Sequence, residues 1–315
     1  MTQSSDNLKD LYKEIFRIND YFYEGEQGLL LVDDKDGSLH EYCHYGRISG
    51  NGKCNSYFEM ASSGVIHLLK SLEKYGLEND KLAEYAILWL SYKLDQKQKD
   101  KLTDLNKFYT DHIETNEYYN NKINGNDSLS YKEIINRNND LMNINEISKF
   151  NDPFGILLLL YYAIDLKNWN CTKYSNDANE FVKKFEELNK DSNNKENSSF
   201  SQILSTLSND YENIKKIYND KKSCKISPLP QIEPIKNFVE ISGKDSGQTL
   251  GQTPEGTLSS SSILNTVIPS LSTFAIPVFL GVAYKYSLFG IDKLFQRQYI
   301  RNKLKKIKKK MELNI

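Results

Sequence analysis

His40-Glu41-Tyr42-Cys43-His44 is the segment of this chain whose residue types and spacing come nearest to a known chemistry. On a helix, two histidines four positions apart share one face and can bind zinc, while the intervening Glu activates the metal-bound water. The surroundings argue against a helix here. Asp33-Asp34-Lys35-Asp36-Gly37-Ser38 precedes the motif, and Gly46, Ser49-Gly50 and Gly52 follow it. No third ligand accompanies the pair, and Cys43 inside the motif has a use of its own. The acidic run is not a calcium loop either, because Val32 occupies the first ligand position and Cys43 the place of the bidentate Glu. There is no glycine-rich phosphate loop, no nucleophile motif and no acid–base pair in a recognisable setting. The expectation is a protein that is not an enzyme, with no catalytic residue, no metal ligand and no cofactor.

The second chemistry is that of sulfur. Cys43, Cys54, Cys171 and Cys224 make an even count, and four cysteines allow three pairings. Local logic favours Cys43 with Cys54, closing a glycine-rich loop, and Cys171 with Cys224, tying the last helices together. Free thiols buried in a cytosolic protein are the alternative. Sequons at Asn126, Asn170 and Asn197 carry little weight in so Asn-rich a chain.

The elements that must position these groups are helical. Leu8, Leu11, Tyr12, Ile15, Phe16 and Phe22 recur at helical spacing, which predicts an amphipathic helix over 6–23. The N-terminus has no apolar stretch suited to a secretory signal. Further helices are predicted over 79–95, 99–122, 146–168 and 173–190, the last with Ala178, Phe181, Val182, Phe185 and Leu188 on one face. The core is expected around 82–92, 102–113, 154–164 and 178–188. Residues 24–56, punctuated by glycine, read as a loop excursion. The run Phe154–Ile164 would span only about 16 Å as a helix, half the hydrocarbon thickness of a bilayer, so it reads as a core helix.

Charge divides the chain. The whole carries a formal net charge of −1, yet residues 1–262 carry −9. Such an acidic body would repel phosphate, so no nucleic-acid partner is expected. Of 41 basic residues only five are Arg, the mark of an A/T-rich genome. The organisation expected is all-α: a helical ectodomain over 1–224, a flexible Ser/Gly/Pro-rich linker over 225–262, a transmembrane helix over 263–284 and a basic tail over 285–315. Ile263–Tyr284 runs without a charge, and Pro269, Pro277 and Gly281 are tolerated in such a span. After it come Lys285, Lys293, Arg297, Arg301, Lys303, Lys305, Lys306, Lys308, Lys309 and Lys310. Ile300, Leu304, Ile307 and Met311 form an apolar stripe between the cations, which suits an anionic cytoplasmic leaflet.

The order of particular blocks resembles a known family. They are Trp89-Leu90-Ser91-Tyr92, Leu105-Asn106-Lys107-Phe108-Tyr109, Leu141-Met142-Asn143-Ile144, Ile147-Ser148-Lys149-Phe150 and Cys171-Thr172-Lys173-Tyr174. Phe181–Asn189, Leu204–Tyr211 and Lys285-Tyr286-Ser287-Leu288-Phe289-Gly290 complete the series. Together they resemble the Plasmodium interspersed repeat (PIR) variant antigens, in particular the rodent-parasite branch called Cir, Yir or Bir. The resemblance implies an α-helical ectodomain, export towards the infected red-cell surface or other host-facing membranes, antigenic variation and, in some members, host-receptor binding. It implies no enzyme activity. Cys43 and Cys54 match the family's early cysteine pair, and Cys171 and Cys224 match later positions. The chain departs from the family in lacking a cysteine near the N-terminus and another around Leu158–Leu160, and it has no R-x-L-x-[DEQ] export motif.

Two placements compete. In one, the body faces the exterior or a vacuole lumen and the cationic tail stays cytosolic, as the positive-inside rule favours. In the other, the protein is tail-anchored with its body in the cytosol. Cysteine oxidation state separates them.

Overall fold

Apolar residues at intervals of three and four account for the helices of this protein. The computed structural model describes residues 5–25, 28–32, 39–45, 53–97, 102, 104–142, 147–167 and 169–235. The first helix, α1 (Ser5–Tyr21), buries Leu8, Leu11, Tyr12, Ile15 and Ile18. A small hairpin follows, made of β1 (Phe22–Glu24) and β2 (Leu30–Val32). Then come α2 (Tyr57–Glu73), α3 (Asn79–Asp95), the short α4 (Leu105–Phe108) and α5 (Tyr131–Asn136). The chain continues through α6 (Asn151–Ala163), α7 (Cys171–Asn189) and α8 (Ser199–Lys222).

Helices α3 and α6 are the centre. Leu82 to Leu90 and Phe154 to Leu158 are buried almost without a break, so both helices are apolar on every side and must be surrounded. They pack on each other, α2 covers α3, and α1 and α7 cover α6. Helix α7 is one-sided and buries Tyr174, Ala178, Phe181, Phe185 and Leu188. Its N-cap Asn170 accepts a hydrogen bond from the Lys173 N–H at 3.0 Å, and Ser198 caps α8 by accepting from the Ser201 N–H at 3.1 Å. Pro153 sits in the first turn of α6, where its missing N–H costs nothing.

The ends of the predicted elements shift for identifiable reasons. The helix expected to reach residue 23 stops at Tyr21. There the buried Lys93 ammonium donates to the carbonyls of Asn19 and of Phe22, the latter at 2.6 Å, and caps the helix end. The loop expected over 24–56 contains β2. The helix expected over 99–122 is broken instead: α4 runs into a π turn (Tyr109–Ile113), and a 3-10 turn (Glu117–Asn120) follows. Asn116 causes the break. Its buried side chain accepts from the N–H groups of Tyr118 and His44 and donates to the Tyr42 carbonyl at 2.8 Å, which pays for an extended backbone at that residue. Likewise α6 is preceded by a 3-10 turn (Ser148–Phe150) and ends at Ala163.

Residues 225–235, assigned from sequence to the flexible linker, are pinned to the body. The Tyr211 hydroxyl donates to the Ser227 carbonyl at 2.7 Å, Asn189 Nδ2 donates to the Gln231 carbonyl at 2.8 Å, and Ile235 bridges Lys195. Ser/Gly/Pro composition missed this because the contacts come from α7 and α8, far from the segment in sequence. The remainder of the linker, the span Ile263–Tyr284 and the tail from Lys285 lie outside the described residues. Among the described residues no helix is long and apolar enough to cross a membrane.

Candidate functional site

The sequence points first to the segment around His40, and the structure shows what the motif does there. Leu39 to Tyr42 form a single 3-10 turn, closed by the Cys43 N–H donating to the His40 carbonyl at 3.2 Å. A 3-10 turn does not set residues four apart on one face. His40 Nδ1 accepts from the Cys54 N–H at 3.1 Å, while His44 Nε2 bonds the Glu41 carbonyl at 2.8 Å. The two imidazoles thus serve separate backbone groups. Among the described residues no three His, Cys, Asp or Glu side chains converge in a way that could hold a metal.

The turn is fastened to α2. Cys43 and Cys54 form a disulfide with Cα atoms 5.3 Å apart, bridging 11 residues of chain. Ser56 accepts from the Glu59 N–H at 3.1 Å, and Glu59 accepts in return from the Asn55 N–H at 2.7 Å. The Ser63 hydroxyl donates to the Leu39 carbonyl. Tyr42 is sealed beneath the edge of Tyr118, with ring centroids 4.9 Å apart.

The second disulfide joins Cys171, first residue of α7, to Cys224, two residues past α8, with Cα atoms 5.7 Å apart. Ser223 makes the turn between α8 and the bridge in the left-handed region, at φ 50°. Of the sequons, Asn170 spends its side-chain oxygen capping α7 and adjoins the bridged Cys171. Asn126 and Asn197 are exposed.

The strongest electrostatics lie in the core and had no place in the sequence reading. Asp210 of α8 is 3% exposed. Its carboxyl accepts from the Tyr12 hydroxyl at 2.6 Å and from the Tyr85 hydroxyl at 3.0 Å. The Tyr161 hydroxyl donates to the Asp210 backbone carbonyl at 2.8 Å and accepts from Asn213 Nδ2 at 3.0 Å. Burial pushes the Asp210 carboxyl up to about 7, against the two hydroxyls that favour its charged form. The same residue raises the phenols of Tyr12 and Tyr85, after burial itself. Nearby, burial also raises Glu84, which the Lys81 ammonium partly offsets at 2.8 Å. One signal was available. Asp210 stands three after Leu207 and four before Ile214, an acid on an otherwise apolar stripe. The network joins α1, α3, α6 and α8, and with the acid sealed inside, its role is to hold these helices in register. A surface groove is lined by Asn219, Ser223, Lys225 and Ile226.

These features define a helical, disulfide-bridged domain in which His40, His44 and Asp210 make structural hydrogen bonds. The family follows from comparison: the model for Plasmodium variant antigen protein Cir/Yir/Bir matches residues 7–285, and the chain belongs to that family. It is therefore a member of a variant antigen family and not of a known enzyme family. A solved structure of a Plasmodium PIR protein ectodomain is 32% identical, with a TM-score of 0.55, and the match covers 74% of this chain and 100% of that one. No curated protein matches.

Proposed function

We propose that the protein is a single-pass variant surface antigen. Its helical body is an ectodomain facing the exterior or a vacuole lumen, Ile263–Tyr284 crosses the membrane, and the tail from Lys285 stays in the cytosol of whichever cell holds that membrane. The observation that carries this reading is the family match, whose residues 7–285 run through the body, the linker and the uncharged span. Two disulfides support an oxidising compartment for the body. The tail cations support the orientation, since Lys and Arg beside a span resist translocation. An anionic leaflet would attract them by roughly 1 kcal/mol per surface cation. The infected red-cell membrane or a parasite-derived membrane is the destination, and a host cell-surface or immune receptor is the partner class.

Tags at each end, followed by protease treatment of intact infected cells or sealed vesicles, test the orientation. Digestion of the N-terminal tag with protection of the C-terminal tag is expected on intact cells. The opposite pattern would support the tail-anchored reading and remove the physical basis of the surface assignment.

A further inference from the structure

Two Asn-Gly steps occur in this chain, Asn51-Gly52 and Asn124-Gly125, and the second lies among the described residues. Asn124 opens the tip of a loop whose base is firmly closed. Lys122 and Ser130 form an antiparallel bridge, the Ile123 N–H donates to the Leu129 carbonyl at 3.0 Å, and the Tyr131 N–H donates to the Asn121 carbonyl at 3.2 Å. A capping box then starts α5: Ser130 Oγ accepts from the Glu133 N–H at 3.2 Å, and Glu133 accepts from the Ser130 N–H at 2.6 Å. The tip itself is held by Ser128. Its Oγ accepts from the Asn124 N–H at 2.8 Å and donates to the Gly125 carbonyl at 3.0 Å, while its own N–H reaches that carbonyl only at 3.5 Å. These bonds flank the peptide link between Asn124 and Gly125 without using its N–H. Asn124, Gly125, Asn126 and Asp127 are all exposed. Among the described residues, neither the Asn124 side-chain amide nor the Gly125 N–H has a hydrogen-bond partner. Gly125 sits at φ 63° with open space where a Cβ would stand.

Such a step sets a nucleophile beside an electrophile. Only the main-chain carbonyl carbon, Cα and Cβ of Asn124 separate the Gly125 nitrogen from Asn124 Cγ. Joining the two closes a five-membered ring, with the entropy of encounter already lost. We propose that Asn124-Gly125 is a self-modifying site that deamidates in the folded protein through a cyclic imide. Base removes the Gly125 N–H proton, the nitrogen bonds to Asn124 Cγ, and the Cγ–Nδ2 bond breaks to release ammonia. Water then opens the imide at either carbonyl. Attack at Cγ gives aspartate, whereas attack at the main-chain carbonyl gives isoaspartate, whose backbone runs through Cβ and Cγ. Glycine admits the reaction because no Cβ crowds the approaching nitrogen and its backbone moves freely. The fold separates this step from other exposed asparagines. Asn197 is also exposed, but Ser198 follows it, and the Ser198 N–H donates to the Lys195 carbonyl at 3.1 Å. Asn170 spends its side-chain oxygen on the Lys173 N–H. The loop tip gains a negative charge and, in isoaspartate, a longer backbone, so an exposed surface changes chemically with no change in the gene. The inference is independent of membrane orientation.

The test incubates full-length protein in mild detergent at neutral pH and body temperature, beside a synthetic peptide of residues 121–131, and follows both by peptide mapping. Aspartate and isoaspartate at position 124 are expected, carrying heavy oxygen when formed in heavy-oxygen water. The rate in the protein should fall within about a hundredfold of the peptide's, since reaction through the unfolded fraction alone would be slower by about a thousandfold or more. Gly125→Ala should slow the reaction at least about tenfold, and conversion at Asn197 should lag by at least about as much. Asn124→Gln should remove the product, because its longer side chain closes a larger ring. A rate in the protein more than about a hundredfold below the peptide's would overturn the proposal. So would an unchanged rate in Gly125→Ala, or equal conversion at Asn197. The peptide and Asn197 comparisons use unaltered protein and decide the matter if Gly125→Ala fails to fold.

Discussion

The Tyr12 hydroxyl donates to Asp210 Oδ2 at 2.6 Å across 198 residues of chain. The two rings that meet there, Tyr12 and Tyr161, stack with centroids 4.2 Å apart, and Tyr85 approaches Tyr12 edge-on. The first helix of the body is thereby bolted to α8 by one buried carboxyl, which Tyr85 of α3 also reaches, while Tyr161 of α6 bonds the Asp210 backbone carbonyl.

That carboxyl gives stability a pH dependence. Its folded value is raised to about 7 from an ordinary 3.8, so between these the folded state binds the proton that the unfolded state releases. Stability from this group is therefore fully present below about pH 4 and lost as pH rises towards 7, by at most about 4 kcal/mol. Glu14, held down to about 2 chiefly by its hydrogen bond to His67, acts with the opposite sign, and only below its ordinary 4.5. The window from pH 5 to 7 thus isolates the raised acids. Asp210→Asn should flatten the slope of urea-unfolding stability there, leaving the shares of Glu84, Asp177 and Glu73, which burial also raises. An unchanged slope would show that Asp210 ionises in the fold at no cost.

The two disulfides should differ in worth. Cys171–Cys224 closes 53 residues and Cys43–Cys54 closes 11. Chain entropy assigns the longer loop about 1 kcal/mol more stabilisation, within a usual range of about 2–4 kcal/mol each. Denaturant midpoints of the Cys→Ser pairs check the order, and an equal or reversed loss would mean that native-state effects dominate.

Gly64 on α2 faces the Trp89 ring of α3 so closely that a Cβ would overlap it. Gly64→Ala should cost about 1–3 kcal/mol through overpacking, although alanine is the better helix former. Gly76→Ala has open space around it but a backbone at φ 68°, so its cost should come from the backbone alone, about 1 kcal/mol. Equilibrium unfolding of both variants separates the two mechanisms, and a neutral Gly64→Ala would show that Trp89 can move aside.

Lys97 and Glu24 form an ion pair at 2.7 Å with side chains 8% and 5% exposed. Lys97→Met alone removes this counter-charge from a buried carboxylate and should cost about 3–5 kcal/mol. Adding Glu24→Gln should recover most of that loss. If the double variant is no more stable than the single one, the pair is not the energetic unit.

Much of the architecture is legible in the sequence because it is local. Apolar spacing along α1 and α7 specifies amphipathic helices, and the near-continuous apolar runs of α3, interrupted at Glu84, and of α6 specify buried ones, whatever the partners. The charge sums that separate an acidic body from a basic end are independent of fold altogether, and the ordered blocks from Trp89 to Gly290 carry the family. What tertiary structure alone decided is everything that depends on a partner distant in sequence. Asn116 interrupts a helical pattern because Tyr42 and His44 are brought to it from more than seventy residues away. The motif at His40 and His44 turns its imidazoles to backbone groups because α2 and Cys54 hold it in a tight turn. Residues 225–235 leave the linker for the surface of α7 and α8, and Asp210 becomes a core acid only when α1, α3 and α6 close over it. Local propensity acts over one or two turns of chain, whereas burial and hydrogen bonding act through space, so the sequence by itself determined the helices and only their packing decided which polar groups they would hold.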